Sequence, residues 1–346
     1  MAAPKSVNVY SWADYIAPEV LARFEKQTGI QVNYDSFDST DMLEAKLLTG
    51  RSGYDVVVPG IAMLDRLIKA KALQPSGMQQ YQELTNYDPQ LLSQLNVVDP
   101  GNRYAVPYAW GTTGLAYNQQ AIEKRIPNAP LGSFDLLFKP EYASRLKDCG
   151  IAILDSPQEV LSITLHYLGK NPYSQNSADY AAAKQLLEQL RPNLRYIAYG
   201  KQATDLANGD LCLALSYNGD AITARNQASS AGKAFTIGYS IPREGTLAWI
   251  DTLAIPADAP HAAEAKAFIE FITRSDAMAA MTNNLYYANA NRASAAAIDP
   301  ALSSDPTLFP DAQRRSSLFG EEPLPGKTLR ERTRVWAAFR SQVAGE

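Results

Sequence analysis

The sequence predicts an α/β protein with two doubly wound lobes joined by crossing hinge strands. Three observations predict this fold. The first third alternates strand-like and helix-like segments, which form three consecutive β-α units. The valine run at 56–58 lacks polar alternation, as in a strand that is buried on both faces of a parallel sheet. A second set of strands and helices begins near residue 133, after two extended segments that leave the first lobe.

The first lobe opens with a strand in which Val7, Val9 and Ser11 alternate with larger or polar neighbours. Pro18 then begins an amphipathic helix, because proline is favoured at the first helical position. Further strands and helices alternate after it. We predict strands at 31–37 and 54–59 and helices at 39–49 and 63–71, the first of these helices capped by Ser39 or Thr40.

The middle of the chain is less regular. Residues 73–103 are rich in Gln, Tyr and Pro and predict an irregular or short-helical surface segment, followed by two strands, 104–110 and 113–118, that Gly111 separates. The second α/β set comprises a segment at 133–138, strands at 151–154, 195–197 and 211–217, and helices at 158–168, 178–189 and 203–208.

The last third is interpreted as a return to the first lobe. Extended segments at 235–242 and 247–255 form the predicted return crossing, and helices at 261–273, 275–282 and 327–343 close the chain. We therefore expect lobe one to comprise residues 1–111 and 241–293, and lobe two to comprise residues 112–240 and 294–346.

Composition limits the classes of function. The chain has 346 residues, of which 46% are hydrophobic and 20% charged, as is ordinary for a globular protein. A net charge of -4 gives no reason to expect nucleic acid or an anionic membrane as a partner. No apolar run reaches the ~18 residues that a membrane-spanning helix needs. The N-terminal Met-Ala-Ala-Pro-Lys does not match a signal peptide and is consistent with a start codon placed before a mature exported chain.

Histidine and cysteine are scarce. His166 and His261 are far apart and lack metal-ligand spacing, which disfavours a His-based zinc site or a Ser-His-Asp triad. Cys149 lies just before one predicted strand and Cys212 lies within another, so neighbouring strands could bring the two together. A disulfide there would stabilise the fold by roughly 4 kcal/mol. The alternative of two inert buried thiols stays open.

Candidate ligand-binding residues lie where the first strand gives way to the first helix. Trp12, Asp14 and Tyr15 occupy this position, and ligands of α/β sheets bind at the carboxyl ends of strands. Aromatic rings attract ammonium groups and a carboxylate pairs with them, so these residue types suit a cationic ligand. The alternative is that Trp12 belongs to the core and that Asp14 caps the helix.

Seven short blocks carry a resemblance to a known family. They read YSWADYI at 10–16, GYDVVVP at 53–59, LDSP at 154–157, DLANGD at 205–210, YNGD at 217–220, WID at 249–251 and YYANAN at 286–291. In this order and spacing the chain resembles the periplasmic putrescine/spermidine-binding proteins of polyamine ABC transporters. The resemblance covers nearly the whole chain and implies the type II periplasmic binding protein fold, a clamshell that closes around a ligand.

The resemblance also implies a set of ligand contacts. The carboxylates that would bind ammonium groups are Asp14, Glu159, Asp220 and Asp251. The aromatic side chains that would wall the methylene chain are Trp12, Tyr15, Tyr217, Trp249 and Tyr287. It further implies a monomeric periplasmic receptor without a cofactor or metal, which delivers a polyamine to an inner-membrane ABC permease.

Some of these residues have structural alternatives. Glu159 lies in the first turn of a predicted helix, where an acidic side chain is favoured by the helix dipole in any case. Trp249 and Tyr287 could be core aromatics. Asp55 and Asp210 are interpreted as turn or capping residues rather than ligands.

Departures from the family pattern leave the identity of the polyamine open. Ala13, Gly60 and Ala62 stand at or near positions where relatives commonly place a serine, and Tyr217 replaces a usual tryptophan. By the resemblance, Trp249 stands where relatives that favour putrescine tend to have Phe and relatives that favour spermidine tend to have Trp, whereas Ser156 stands where spermidine binders supply an extra carboxylate. Cadaverine and agmatine are alternative ligands.

Other classes of function receive less support. Tyr286 and Tyr287 resemble the paired tyrosines of ferric-ion-binding relatives, but neither histidine is suitably placed to complete such a site. An enzyme could use Glu159 and Asp251 as a carboxylate pair on a glycan. A ligand sensor whose closed form docks on a signalling partner would have the same binding residues.

Overall fold

The computed structural model describes residues 5–341, which divide into two compact units. Unit 1 contains the described residues up to Trp110, together with Trp249–Ser304 and Glu321–Pro323. Unit 2 contains Gly111–Ala248, Asp305–Gly320 and the described residues from Leu324 onwards. The N-terminal residues 1–4 and the last two residues of the predicted helix at 327–343 lie outside the described part of the chain.

The units differ in detail from the predicted lobes. Residues 241–248 lie in unit 2, because Leu247 and Ala248 pair in parallel with Phe319 and Gly320 of the same unit. Residues 294–304 lie in unit 1, and the chain touches that unit again at 321–323.

The chain forms twelve strands and sixteen α-helices in the described residues. The strands are β1 (Ser6–Trp12), β2 (Gln31–Phe37), β3 (Val56–Val57), β4 (Leu73–Gln74), β5 (Ala105–Asn118), β6 (Ile151–Ile153), β7 (Leu194–Ile197), β8 (Leu213–Tyr217), β9 (Ile237–Ser240), β10 (Leu247–Pro256), β11 (Ala288–Asn289) and β12 (Phe319–Gly320). The helices are α1 (Pro18–Thr28), α2 (Thr40–Leu48), α3 (Ile61–Lys69), α4 (Pro89–Val98), α5 (Gln119–Arg125), α6 (Asp135–Phe138), α7 (Pro140–Leu146), α8 (Pro157–Tyr167), α9 (Ser177–Leu190), α10 (Gln202–Asn208), α11 (Asn218–Ser230), α12 (Ala262–Ile272), α13 (Ser275–Leu285), α14 (Pro300–Ser303), α15 (Ala312–Ser316) and α16 (Gly326–Ser341).

The sheet of unit 1 has the strand order β2-β1-β3-β10. Strand β1 pairs in parallel with β2 and β3, and β10 runs antiparallel to β3. Val7 and Val9 are buried, which confirms the period-two pattern, and Val56 and Val57 are buried as the unbroken valine run predicts. Ser39 caps α2 by accepting a hydrogen bond from the Met42 amide.

Asp55 is a structural residue of unit 1, as predicted. Its carboxylate is fully buried and accepts hydrogen bonds from the amides of Asn8 (2.8 Å) and His261 (2.6 Å). It also lies 3.0 Å from Nδ1 of His261, the residue that precedes α12. The carboxylate therefore joins β1 to the start of α12.

In unit 2 the strands follow the order β5-β8-β6-β7. Strands β6, β7 and β8 are parallel, whereas β5 runs antiparallel to β8 and β9. Helices α8, α9 and α16 pack together beside them, with Trp336 and Phe339 of α16 in the hydrophobic core. Cys149 and Cys212 form a disulfide with Cα atoms 5.5 Å apart, which decides between the two alternatives that the sequence left open.

Two predictions about elements were wrong, one at Gly111 and one at 235–242. Gly111 does not interrupt a strand: β5 is continuous because its first half pairs with β11 and its second half with β8 and β9. The segment at 235–242 does not take part in the return crossing: β9 belongs to unit 2 alone, and β10 carries the chain back into unit 1. The short helices expected within residues 73–103 are present, among them α4, which Asp88 caps and Pro89 begins.

None of the helices within the described residues is both long enough and apolar enough to cross a bilayer.

Candidate functional site

In unit 1, the predicted residues Tyr15, Trp249, Asp251 and Tyr287 come together, and we call them the Asp251 cluster. The Tyr15 hydroxyl donates a hydrogen bond of 2.6 Å to Oδ2 of Asp251. Burial, followed by the negative charge of Asp251, raises the pKa of Tyr15 well above its ordinary value, so this phenol keeps its proton. The turn after β1 and the middle of β10 thus meet at one carboxylate, although 236 residues separate the partners.

Tyr15, which binds this carboxylate, belongs to a set of packed aromatic rings. The rings of Trp249 and Tyr287 meet edge to face with centroids 5.1 Å apart, and those of Tyr15 and Tyr287 lie 6.3 Å apart. Tyr108, which the sequence analysis did not select, packs its ring 5.8 Å from that of Tyr15 and donates its hydroxyl to the Tyr15 carbonyl at 3.1 Å. Tyr108 therefore both packs against an aromatic ring of the Asp251 cluster and binds the backbone of Tyr15.

The loop before α3 also borders Asp251. Gly60 forms an isolated antiparallel bridge with Asp251, and a Cβ atom added to Gly60 would lie 3.5 Å from Oδ1 of that residue. A serine at this position would therefore sit in ordinary contact with the carboxylate. Glycine at this position, where relatives commonly have serine nearby, therefore leaves space beside the Asp251 carboxylate and does not disturb the fold.

Trp12 and Asp14 lie just before Tyr15, at the end of β1 and in the turn that follows. The half-buried Trp12 ring packs on Phe37 at 4.5 Å, and the Tyr34 hydroxyl donates to the Trp12 carbonyl while it accepts from the Tyr15 amide. Asp14 is exposed and has a left-handed backbone with φ of 55°. It does not cap α1, whose N-cap residue is Ala17. Such backbone strain in a non-glycine residue is frequent at ligand sites.

In unit 2, the half-buried Glu159 accepts three hydrogen bonds from hydroxyl groups. Thr113 donates to Oε2 at 2.7 Å, and Ser156 and Tyr217 donate to Oε1 at 3.0 and 2.8 Å. We call these four residues the Glu159 cluster. Loss of solvent around the carboxyl raises its pKa, although the three hydrogen bonds lower it. A carboxylate that is held by neutral donors keeps its full negative charge when ionised.

The first turns of two helices place both predicted carboxylates of unit 2. Glu159 is the third residue of α8, after Ser156 as N-cap and Pro157, and Asp220 is the third residue of α11, after Tyr217 as N-cap. Acidic groups are favoured at this position by the helix dipole. The helix dipole does not account for the hydroxyl contacts of Glu159. Ser156 donates to the carboxylate and makes no side-chain cap bond with α8.

Sequence reasoning missed the residues that orient the carboxylates and rings. They are Tyr34, Tyr108 and Thr113; Ser156 was considered only as a departure from the family pattern. Thr113 follows Gly111, where we expected a strand to be interrupted, and so its place beside Glu159 was not apparent. In the described residues, no group of three or more His, Cys, Asp and Glu side chains is arranged to hold a metal ion.

The chain was compared with known proteins. The family model of the bacterial extracellular solute-binding proteins matches residues 19–310. The putrescine-binding periplasmic protein of Escherichia coli is 42% identical over 342 residues, which cover 98% of this chain and 92% of the relative. A putrescine/agmatine-binding protein of Pseudomonas aeruginosa is also 42% identical, over 98% of this chain and 93% of the relative.

A solved structure gives the same picture. The spermidine/putrescine ABC transporter substrate-binding protein of Streptococcus pneumoniae has a TM-score of 0.82 and 25% sequence identity, covering 97% of this chain and 99% of its own. The predicted resemblance, the two-lobed α/β fold class and the expectation of a binding protein rather than an enzyme are confirmed by these similarities.

Proposed function

The chain belongs to the bacterial extracellular solute-binding proteins, and we propose that within this family it is a receptor for a linear polyamine. The observation that carries the proposal is the Asp251 cluster, in which a carboxylate is hydrogen-bonded to one of a set of packed aromatic side chains. An ammonium group pairs with a carboxylate, and methylene groups pack against ring faces. A sugar or an amino acid would need additional hydroxyl-binding or carboxylate-binding groups at the same place.

The contacts that these clusters offer give a gross binding free energy, from which ordering costs are then subtracted. A charge-assisted hydrogen bond contributes about 1.5–3 kcal/mol, and a desolvated cation–π contact contributes about 2 kcal/mol. Two of each reach roughly -8 kcal/mol, which corresponds to a micromolar dissociation constant before ordering costs. The remaining predicted contacts, from Trp12 and Asp14 in particular, raise this total.

The Glu159 cluster supports the same class of ligand. Its hydroxyl donors supply no positive charge, so a cation is the natural partner for the ionised carboxylate. Tyr217, which donates to Glu159, lies three residues before Asp220, a second carboxylate of the same unit. Each of the two clusters by itself therefore suits an ammonium group.

The relatives guide the choice of ligands and partners. Two relatives at 42% identity are named for binding putrescine, one of them also for agmatine. We therefore place putrescine first, with agmatine, cadaverine and spermidine as the other candidates. The name of the Escherichia coli relative supports a periplasmic location, and the name of the pneumococcal protein supports delivery of the ligand to an ABC permease.

A thermal-shift panel on ligand-stripped protein tests the proposal. Putrescine, cadaverine, agmatine, spermidine and spermine are each added, with glucose and glutamate as controls. A ligand at about 100 times its dissociation constant stabilises the folded protein by about 2.7 kcal/mol. We expect at least one polyamine to raise the melting temperature, and a panel without any polyamine response would overturn the proposed function.

A matched pair of variants locates the response. Asp251→Asn removes the charge that the proposal assigns to ligand binding, whereas Asp276→Asn removes a charge from an exposed carboxylate of the same unit. We expect the first variant to weaken putrescine binding by about 10- to 100-fold and the second to leave it within about twofold. Equal affinities for the two variants would remove Asp251 from the site.

A further inference from the structure

The last helix of unit 2 holds the segment that carries Glu159. Three side chains on one face of α16, Arg332, Trp336 and Arg340, recur every four residues, which places them along a single stripe. All three contact residues of the stretch 155–158, which links the end of β6 to the start of α8. This stretch immediately precedes Glu159.

Asp155 is held from two sides. The Trp336 indole donates Nε1–H to Oδ1 of Asp155 at 2.9 Å, and the Arg340 guanidinium lies 2.9 Å from Oδ2. Trp336 itself is buried in the hydrophobic core of unit 2, so its indole nitrogen is fixed in position. Asp155 lies one residue before Ser156, whose hydroxyl donates to Glu159.

Arg332 holds the other end of the stretch. It is fully buried and donates to the Gln158 carbonyl at 3.0 Å and to the Ser162 hydroxyl at 2.8 Å. Its remaining hydrogen bonds go to the Tyr180 hydroxyl and the Pro172 carbonyl. A buried guanidinium that is bound by neutral oxygens fixes its partners firmly, because losing any of them would leave an unsatisfied charged donor.

We propose that α16 is a positioning element for the Glu159 carboxylate: Trp336 and Arg340 fix Asp155, Arg332 fixes Gln158, and Ser156 and Glu159 are thereby aimed at the ligand. The inference rests on the proposed polyamine-binding function. Trp336 and Arg332 touch no proposed ligand contact directly, so they act through the backbone of residues 155–158. Binding geometry that is held by a surrounding shell of this kind is sensitive to the loss of one supporting contact.

A double-mutant cycle tests the coupling. The dissociation constant of putrescine is measured by isothermal titration calorimetry for the wild type, Trp336→Phe, Glu159→Gln and the double variant. Phenylalanine keeps an aromatic ring in the core but lacks the N–H donor. We expect Trp336→Phe to weaken binding roughly fivefold when Glu159 is present, and by less than about twofold in the Glu159→Gln background.

Two further variants complete the design. Arg334→Gln removes a positive charge from the exposed side of the same helix and should leave the dissociation constant within about twofold of the wild type. Asp155→Ala removes the acceptor of Trp336 without entering the core, and should weaken binding roughly fivefold as well. It tests the same contact if Trp336→Phe does not fold.

The outcomes separate this inference from the proposed function. Failure of the wild type to bind any polyamine overturns the proposed function. If the wild type binds putrescine but Trp336→Phe and Asp155→Ala bind it equally well, α16 is a packing element only. An equal loss from Trp336→Phe in the wild-type and the Glu159→Gln backgrounds would also overturn the positioning role, because the effect would not pass through Glu159.

Discussion

Replacing Glu159 by glutamine removes a charge while the hydrogen bonds around it can be kept. The glutamine oxygen can take the place of Oε1 and accept from Ser156 and Tyr217, as the carboxylate does at 3.0 and 2.8 Å. The amide nitrogen then takes the place of Oε2 and donates to the Thr113 hydroxyl, which lies 2.7 Å away. All three partners remain satisfied.

The change should not destabilise the unliganded protein at neutral pH. Burial raises the pKa of Glu159 above the ordinary value of 4.5, so the folded chain binds this proton more tightly than the unfolded chain does. The protonated Glu159 carboxyl therefore makes its full contribution to the free energy of unfolding below the pKa of the unfolded chain. This contribution is lost as the pH rises through the pKa of the folded chain. Glutamine does not ionise, so the Glu159→Gln variant does not lose this contribution and should melt at or above the wild-type temperature at pH 7. The difference in melting temperature should disappear at acid pH.

Binding should respond in the opposite direction. Loss of one charge-assisted contact, about 1.5–3 kcal/mol, weakens putrescine binding by about 10- to 150-fold at pH 7. Wild-type affinity should also fall as the pH approaches the raised pKa of Glu159, because the carboxyl then takes up a proton that competes with the ligand. The profile of the variant should be flatter over that range.

Calorimetric titrations and melting curves between pH 4 and 8 measure both effects. A variant that binds putrescine within twofold of the wild type, with the same pH profile, would remove Glu159 from the site. A variant that binds weakly and also melts far below the wild type at pH 7 would show that the three hydroxyls cannot rearrange around an amide.

Three further predictions concern stability. Reduction of the disulfide between Cys149 and Cys212, which are 63 residues apart, should lower the free energy of unfolding of unit 2 by about 4 kcal/mol, measured as a lower urea midpoint in dithiothreitol. Asp14→Gly should raise the free energy of unfolding by about 1 kcal/mol, because glycine adopts the left-handed backbone without a Cβ penalty, and should weaken putrescine binding in the same calorimetric assay. Asp55→Ala should cost about 3 kcal/mol in chemical denaturation, because it leaves the buried amides of Asn8 and His261 without their acceptor.

Each of these predictions has a contrary result. An unchanged urea midpoint after verified reduction would mean that the cross-link contributes nothing to unit 2. Asp14→Asn, which also tolerates a left-handed backbone, should lose affinity without gaining stability; a gain in stability would assign the effect to the lost charge instead. Asp55→Ala with wild-type stability would show that water replaces the carboxylate.

Local signals predicted the start of the chain well. The alternation of Val7, Val9 and Ser11 and the proline at the start of α1 each report on a few neighbouring residues, and both elements occur where the sequence placed them. The capping role of Ser39 was predicted for the same reason. Residue alternation, an N-terminal proline and a capping serine are local patterns that can be read from a few neighbouring positions, even though β1 is hydrogen-bonded to β2 and β3.

Elements that depend on distant partners were predicted less well. A glycine in a strand indicates a break on local grounds, yet β5 passes through Gly111 because strands from elsewhere in the chain pair with both halves. Helix α11 was missed because Gly219 stands in its first turn, where a glycine disfavours a helix. The packing of α11 against α10 and β9 outweighs that preference.

The candidate site shows the same difference between features that local sequence indicates and contacts that depend on distant segments. All four residues of the Asp251 cluster were selected from sequence blocks, and they come together in unit 1, whereas Thr113 of the Glu159 cluster was not selected. The hydrogen bonds between Tyr15 and Asp251 and between Thr113 and Glu159 join segments that no local pattern connects. The sequence therefore indicated the carboxylate and aromatic residue types of the site, whereas the tertiary fold determines which side chains form hydrogen bonds with them.

The core of unit 2 includes residues from both ends of its long span of sequence. Leu115 of β5 and Phe339 of α16 belong to the same hydrophobic cluster. At the usual rate of synthesis, about 5–20 residues per second, roughly 10–45 s pass between the appearance of these two residues on the ribosome. Unit 1 is interrupted as well, since β10 must return before its sheet is complete. Neither unit can complete its fold before its C-terminal residues have been synthesised. The nascent chain therefore remains incompletely folded, and accessible to chaperones and secretion factors, until translation is nearly over.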